Sequence, residues 1–136
     1  FLFREEYPNL VQDINSHKYV LGHFEFRNFV VTGADRVMDH GPDAENFSGP
    51  KYIFSGHFHK RQTKKNITYI GNCFPHNYAD AGDDERGLTI LEWGNDPVYH
   101  AWPNQPRYRV YGLANLIDNE IKQWGPVIKK ANIKTE

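Results

Sequence analysis

Apolar residues fall along this chain in short bursts separated by Gly, Pro and Asn, each long enough for a strand or a few helical turns. Leu10, Val11 and Ile14 share one face of a helix predicted over residues 5–15, with Pro8 tolerated in its first turn. Residues 17–21 and 24–31 read as strands on either side of Gly22. The stretch 32–50 is rich in Gly and Pro and reads as loop, with one helical turn around Ala44. Tyr52–Ser55 and Ile67–Ile70 are compact apolar runs, each ended by a glycine. Residues 88–93 alternate apolar with Thr and Glu and predict a half-exposed strand. Weaker strands are expected at 98–102 and 108–111, parted by Pro103 and Pro106. Leu113, Leu116, Ile117 and Ile121 recur at helical spacing, and Gly125-Pro126 is expected to stop that helix. The last ten residues are expected to be a frayed tail. The order helix, several strands, helix predicts a mixed α/β (α+β) domain built on a sheet.

Composition narrows the class. Phe, Leu, Ile and Val supply 33 of 136 residues, about 24%, enough for a lean packed core. The length suits one domain. No window approaches the ~18 consecutive apolar residues of a membrane span. The opening Phe1-Leu2-Phe3 meets Arg4-Glu5-Glu6, so no signal peptide is expected, and the location expected is cytoplasmic. A net charge of -1 excludes a globally basic nucleic-acid binder while leaving room for a local basic patch. With Cys73 alone, neither an internal disulfide nor a Cys-rich zinc site can form.

Candidate chemistry centres on histidine. His57 and His59 follow an apolar run and Gly56. In extended backbone, residues two apart project to one side, so two imidazoles can face one site. His23 repeats the arrangement in Leu21-Gly22-His23. Adjacent strand ends would bring these histidines together, and neutral imidazole suits zinc, manganese, iron or copper. Between Gly49 and Ala79 the chain has no acidic residue. Lys60 and Arg61 therefore follow the histidines as a basic rim that could steer a nucleic-acid backbone. Lys64-Lys65 reads as a solvated hairpin turn.

The run from Lys51 to His59, with Gly56-His57-Phe58-His59 at its end, resembles the Gly-His-x-His motif that closes the binuclear site of calcineurin-like metallophosphoesterases. In that family a single histidine at an earlier strand end precedes the motif, as His23 does here. The segments 67–74 and 80–92 are similar to the branch holding the double-strand-break-repair nucleases and the phage recombination endonuclease subunit. The resemblance covers roughly residues 17–112. It implies the C-terminal half of a metallophosphoesterase-type β-sandwich flanked by helices: residues 1–112 as the late part of the catalytic domain, and 113–136 as a C-terminal helix and tail. It also implies a hydrolase with two divalent ions, manganese first and zinc or iron as alternatives. His23 and His57 would ligate one ion and His59 the other, with His57 and His59 counted as catalytic. DNA, an ATPase subunit of a repair or recombination nuclease complex, and a homodimer are the implied partners. The family's Asp-x-His, Gly-Asp and Gly-Asn-His motifs do not occur upstream of His23. The chain alone is therefore expected to be inactive, with weak metal binding.

Two alternatives compete: a nucleotide or protein phosphatase of the same superfamily, and a non-catalytic β-rich binding module in which His23 lies far from His57. Among secondary signals, Asp80, Asp83 and Asp84 are expected in an exposed turn. His76 and Asn72 are expected in a structural turn. His17, His40 and His100 are expected as surface or packing residues. Trp93, Trp102, Trp124 and the tyrosines could stack bases, with core packing the favoured reading.

Overall fold

The computed structural model describes residues 9–31 and 36–131. Residues 5–8 of the first predicted helix and 132–136 of the predicted tail lie outside the described residues. The chain runs α1 (Leu10–Ser16), β1 (Tyr19–Gly22), β2 (Val30–Val31), β3 (Arg36–Val37), a 3-10 turn (Ala44–Phe47), β4 (Tyr52–Ser55), β5 (Gln62–Lys64), β6 (Ile67–Tyr69), a second 3-10 turn (Tyr78–Asp80), β7 (Gly87–Ile90), β8 (Val98–Ala101) and α2 (Leu113–Lys130). The fold is mixed α and β, as the apolar pattern predicts. Among the described residues no helix is long and apolar enough to cross a membrane.

The main sheet has the order β1-β4-β6-β5, with β1, β4 and β6 parallel and β5 an antiparallel edge. Strand alternation sends Val20, Ile53, Ile67 and Tyr69 to one face. There they meet Ile14 of α1, Phe47 of the first 3-10 turn, and Phe26, Phe29, Met38 and Phe58 in a single core. On the opposite face Tyr19 stacks on Tyr52 and Tyr52 on Phe54. The β7–β8 hairpin reaches this side. Trp93 meets Tyr19 edge-on at 4.9 Å, and Asp96 takes hydrogen bonds from Lys51 and Tyr52.

Three departures from the hydrophobic pattern have physical causes. Residues 24–29 are not a strand. Their backbone groups bond to side chains and to the 38–42 loop, and Phe24, Phe26 and Phe29 all turn toward the core from irregular backbone. Strand β5, Gln62-Thr63-Lys64, carries no apolar signal; it forms as the leading arm of a hairpin that turns at Lys65-Asn66 into β6. Helix α2 continues through Gly125-Pro126 to Lys130, so residues 127–130 are helical rather than frayed. Proline's clash with the Cβ of the preceding residue is absent when that residue is glycine, which removes part of the stop signal.

The pin that holds residues 24–26 is Tyr69. Its hydroxyl accepts from the Phe26 N–H at 2.9 Å and donates to the Phe24 carbonyl at 3.0 Å. Burial pushes the phenol up to about 12, so it remains a donor at any working pH. Tyr69→Phe leaves the Phe26 N–H buried without a partner. The expected loss is about 1–3 kcal/mol, read by urea denaturation.

Candidate functional site

β1 and β4 are adjacent, parallel and in register, with Gly22 opposite Ser55, so they end together. The residues that follow, His23 from one strand and Gly56-His57 from the other, emerge side by side. This is the sheet edge where α and β folds place ligands. The ladder closes with the Gly56 N–H donating to the Gly22 carbonyl at 3.0 Å. Ser55 fixes the next residue, its Oγ accepting from the Phe24 N–H at 2.8 Å.

The two imidazoles converge. The His23 and His57 ring centres are 5.3 Å apart and nearly perpendicular, at 87°. Gly56 makes this approach possible, because a Cβ there would stand 2.7 Å from His23 Nδ1. His57 has φ +81°, in the left-handed region that side chains seldom adopt. Strain of this kind persists where surrounding structure over-determines it, and it concentrates at functional positions. Burial holds the His57 pKa below its ordinary value; Glu25 opposes that, and His23 and His59 add to it. The ring is therefore a neutral lone-pair donor at pH 7.

His59 is positioned differently. Its Nδ1 lies 3.0 Å from Asp80 Oδ1, and a carboxylate can only accept, so Nδ1 donates to Asp80 and Nε2 is the ring nitrogen that remains for a metal. Asp80 is completely buried. Burial alone would raise its pKa, yet the His76 N–H at 2.7 Å, His59 and Arg86 together hold it below the ordinary carboxylate value. Arg86, equally buried, lies 3.6 Å from Asp80 and 3.0 Å from Asp83, and donates to the His59 carbonyl at 2.8 Å. The acidic turn expected to be exposed is thus divided. Asp80 and Arg86 form a buried ion pair behind His59, Asp83 is partly covered, and Asp84 pairs on the surface with Arg107 and Arg109.

Sequence reasoning missed two carboxylates. Asp80 was signalled only by Asn77-x-x-Asp80, whose side chains cap the second 3-10 turn reciprocally. Glu25 stands between His57 Nε2, 3.7 Å away, and His40 Nε2 at 2.9 Å. The signal available was the spacing His23-x-Glu25, the same two-residue step as His57-x-His59. His40, expected as a plain surface residue, is exposed but joined to Glu25.

The basic rim is also differentiated. Arg61 donates to Thr89 Oγ1 at 2.6 Å and lies 4.2 Å over the Tyr99 ring, tying the β7–β8 hairpin to the sheet. Lys60 sits half-buried beside His59. The three tryptophans are not core residues: Trp93, Trp102 and Trp124 are 69%, 43% and 50% exposed.

In kind, the donors fit a borderline divalent metal: imidazoles, one of them oriented by a buried carboxylate. In number they fall short. Among the described residues, no group of three or more His, Cys, Asp or Glu side chains is arranged to hold an ion. No family model matches the chain, and no curated protein matches it.

Proposed function

We propose that this chain supplies the late histidines of a dinuclear metal site in a metal-dependent phosphodiesterase of the DNA repair and recombination nuclease type. The observation that carries the reading is the 5.3 Å separation of the His23 and His57 rings. Two imidazoles bound through ~2 Å bonds to one tetrahedral ion have ring centres roughly 5 Å apart. Divalent ions in such sites lower the pKa of a bound water and neutralise phosphoryl oxygens. This chain's own contribution is to present imidazoles: His23 and His57 toward one position, and His59, held by Asp80, toward a neighbouring one. Manganese is the expected ion, with zinc and iron also suited to imidazole.

Three imidazoles bring no negative charge, and Glu25 is held partly by His40. The isolated chain is accordingly expected to bind metal weakly and to hydrolyse phosphodiesters little or not at all. An ATPase subunit, a second copy and DNA as partners stay tied to the resemblance of residues 17–112. A phosphatase acting on nucleotides or proteins would use the same histidines. The binding-module alternative requires His23 to lie far from His57, and their separation weighs against it.

Crystals soaked in manganese provide the test. Anomalous density between His23 and His57 is expected, and it should vanish in His57→Ala. Absence of specific density at millimolar manganese, with the two rings still side by side, would overturn the proposal.

A further inference from the structure

The backbone around Glu25 is held on both sides. Phe24, before it, has its N–H on Ser55 Oγ and its carbonyl on the Tyr69 hydroxyl, and Phe26, after it, has its N–H on the same hydroxyl. The loop 38–42 is fastened alongside by backbone hydrogen bonds from Asn28 to Met38, from Met38 to Phe29 and from Arg27 to Pro42. Gly41 permits the close approach, at φ +88° and with no room for a Cβ beside the Glu25 carbonyl. His40 is thereby set against Glu25, its Nε2 2.9 Å from Oε1, while its Nδ1 lies 2.9 Å from Asp39 Oδ1. Two acceptor-only groups on one ring favour the imidazolium, and Asp39 and Glu25 both raise the His40 pKa. One Glu25 oxygen is therefore tied down, and the other, Oε2, faces His57 Nε2 at 3.7 Å.

We propose that Glu25 is a positioning residue for the metal site: its carboxylate keeps the His57 proton on Nε2 and presents Nδ1 to the ion. The inference rests on the dinuclear-metal reading and deepens it, assigning the nitrogen through which His57 binds. At 3.7 Å the contact is longer than a hydrogen bond, yet a negative oxygen at that distance still favours an N–H over a lone pair. A metal-binding histidine commonly has its other nitrogen on a carboxylate, which fixes the tautomer and the ring orientation. Asp80 does this for His59 through Nδ1. Glu25 does it for His57 through Nε2, so the two histidines offer opposite nitrogens. The backbone differs in step, since of the two only His57 has a positive φ.

The test is long-range 1H–15N correlation NMR on the whole chain, labelled with 15N at histidine, at neutral pH. Spectra are taken first with EDTA and then with zinc, a diamagnetic ion that imidazole also binds. His57→Ala identifies the His57 signals. Without metal, His57 Nε2 should carry the proton and Nδ1 the lone pair; zinc should then shift Nδ1. Glu25→Gln keeps the shape of the side chain and removes its charge. It should lose the tautomer preference and bind zinc about 10-fold to 100-fold more weakly, at an unaltered urea midpoint. A proton on Nδ1 in the metal-free chain overturns the proposal, as does an unchanged tautomer and zinc affinity in Glu25→Gln. A zinc shift at Nε2 overturns it too and would make Glu25 a ligand beside His57. If no histidine shifts with zinc while the Glu25-dependent tautomer is present, the orientation stands and the metal reading alone fails.

Discussion

Asp80→Ala should destabilise the chain by about 3 kcal/mol, the lower end of what breaking a buried ion pair costs. Alanine takes the carboxylate from Arg86, which stays buried with Asp83 as its remaining counter-charge. It also releases the His76 N–H and frees the His59 ring. Pairing Asp80→Ala with Arg86→Met should recover part of the loss, since a buried pair replaced as a unit by apolar residues is often neutral. Asp80→Asn tests positioning apart from stability. The amide oxygen can still accept from His59 Nδ1, but it carries no charge to strengthen Nε2 as a donor. Manganese affinity should then fall about 10-fold or more while the urea midpoint moves less than for alanine.

The same carboxylate predicts a pH dependence. The His76 N–H, His59 and Arg86 hold the Asp80 carboxyl below the ordinary carboxylate range, so its contribution is fully present above the unfolded carboxylate's pKa and is lost as pH falls through the lower, folded one. Asp80→Asn should lack that component of acid destabilisation. Superimposable acid-unfolding curves for the two proteins would show that the Asp80 charge does not hold the fold.

Much of this site could be read from the chain, and the reason is local. β1, β4 and β6 are apolar runs, and His23 and His57 leave the ends of β1 and β4 side by side, although His57 turns into the left-handed region instead of continuing the extended backbone that would set His57 and His59 on one side. What escaped depends on contacts between distant residues. Asp80 looks like one acid in a polar turn until Arg86 and His59, 21 residues earlier, close over it. Residues 24–29 carry a strand-like pattern, but Ser55 and Tyr69 occupy backbone groups of Phe24 and Phe26 that a neighbouring strand would need. The tryptophans were expected inside because large rings usually gain most from burial. Trp102 instead lies beside Phe74 at the surface, next to the end of β8. Helix α2 extends the contrast: its stripe of Leu113, Ile117, Ile121 and Trp124 follows the helical period faithfully and is exposed throughout.

Gly56→Ala should leave stability nearly unchanged and lower manganese affinity by at least about 10-fold. The backbone at Gly56 is outside the left-handed region, so alanine fits its dihedral angles and restricts the unfolded chain, a gain of about 0.4–1 kcal/mol. The added methyl would stand 2.7 Å from His23 Nδ1 and 3.3 Å from Cε1, closer than the ~3.5 Å at which such atoms settle. His23 is exposed, so its ring can swing outward at small cost, and it leaves His57 as it goes. The variant thus separates the two imidazoles without touching either. If the metal lies between them, His23→Ala and Gly56→Ala should weaken manganese binding alike. The double variant should then be no worse than His23→Ala alone, the non-additivity expected of two changes acting on one contact. Full manganese affinity in Gly56→Ala, measured on protein with an unaltered urea midpoint, would remove His23 from the ligand set.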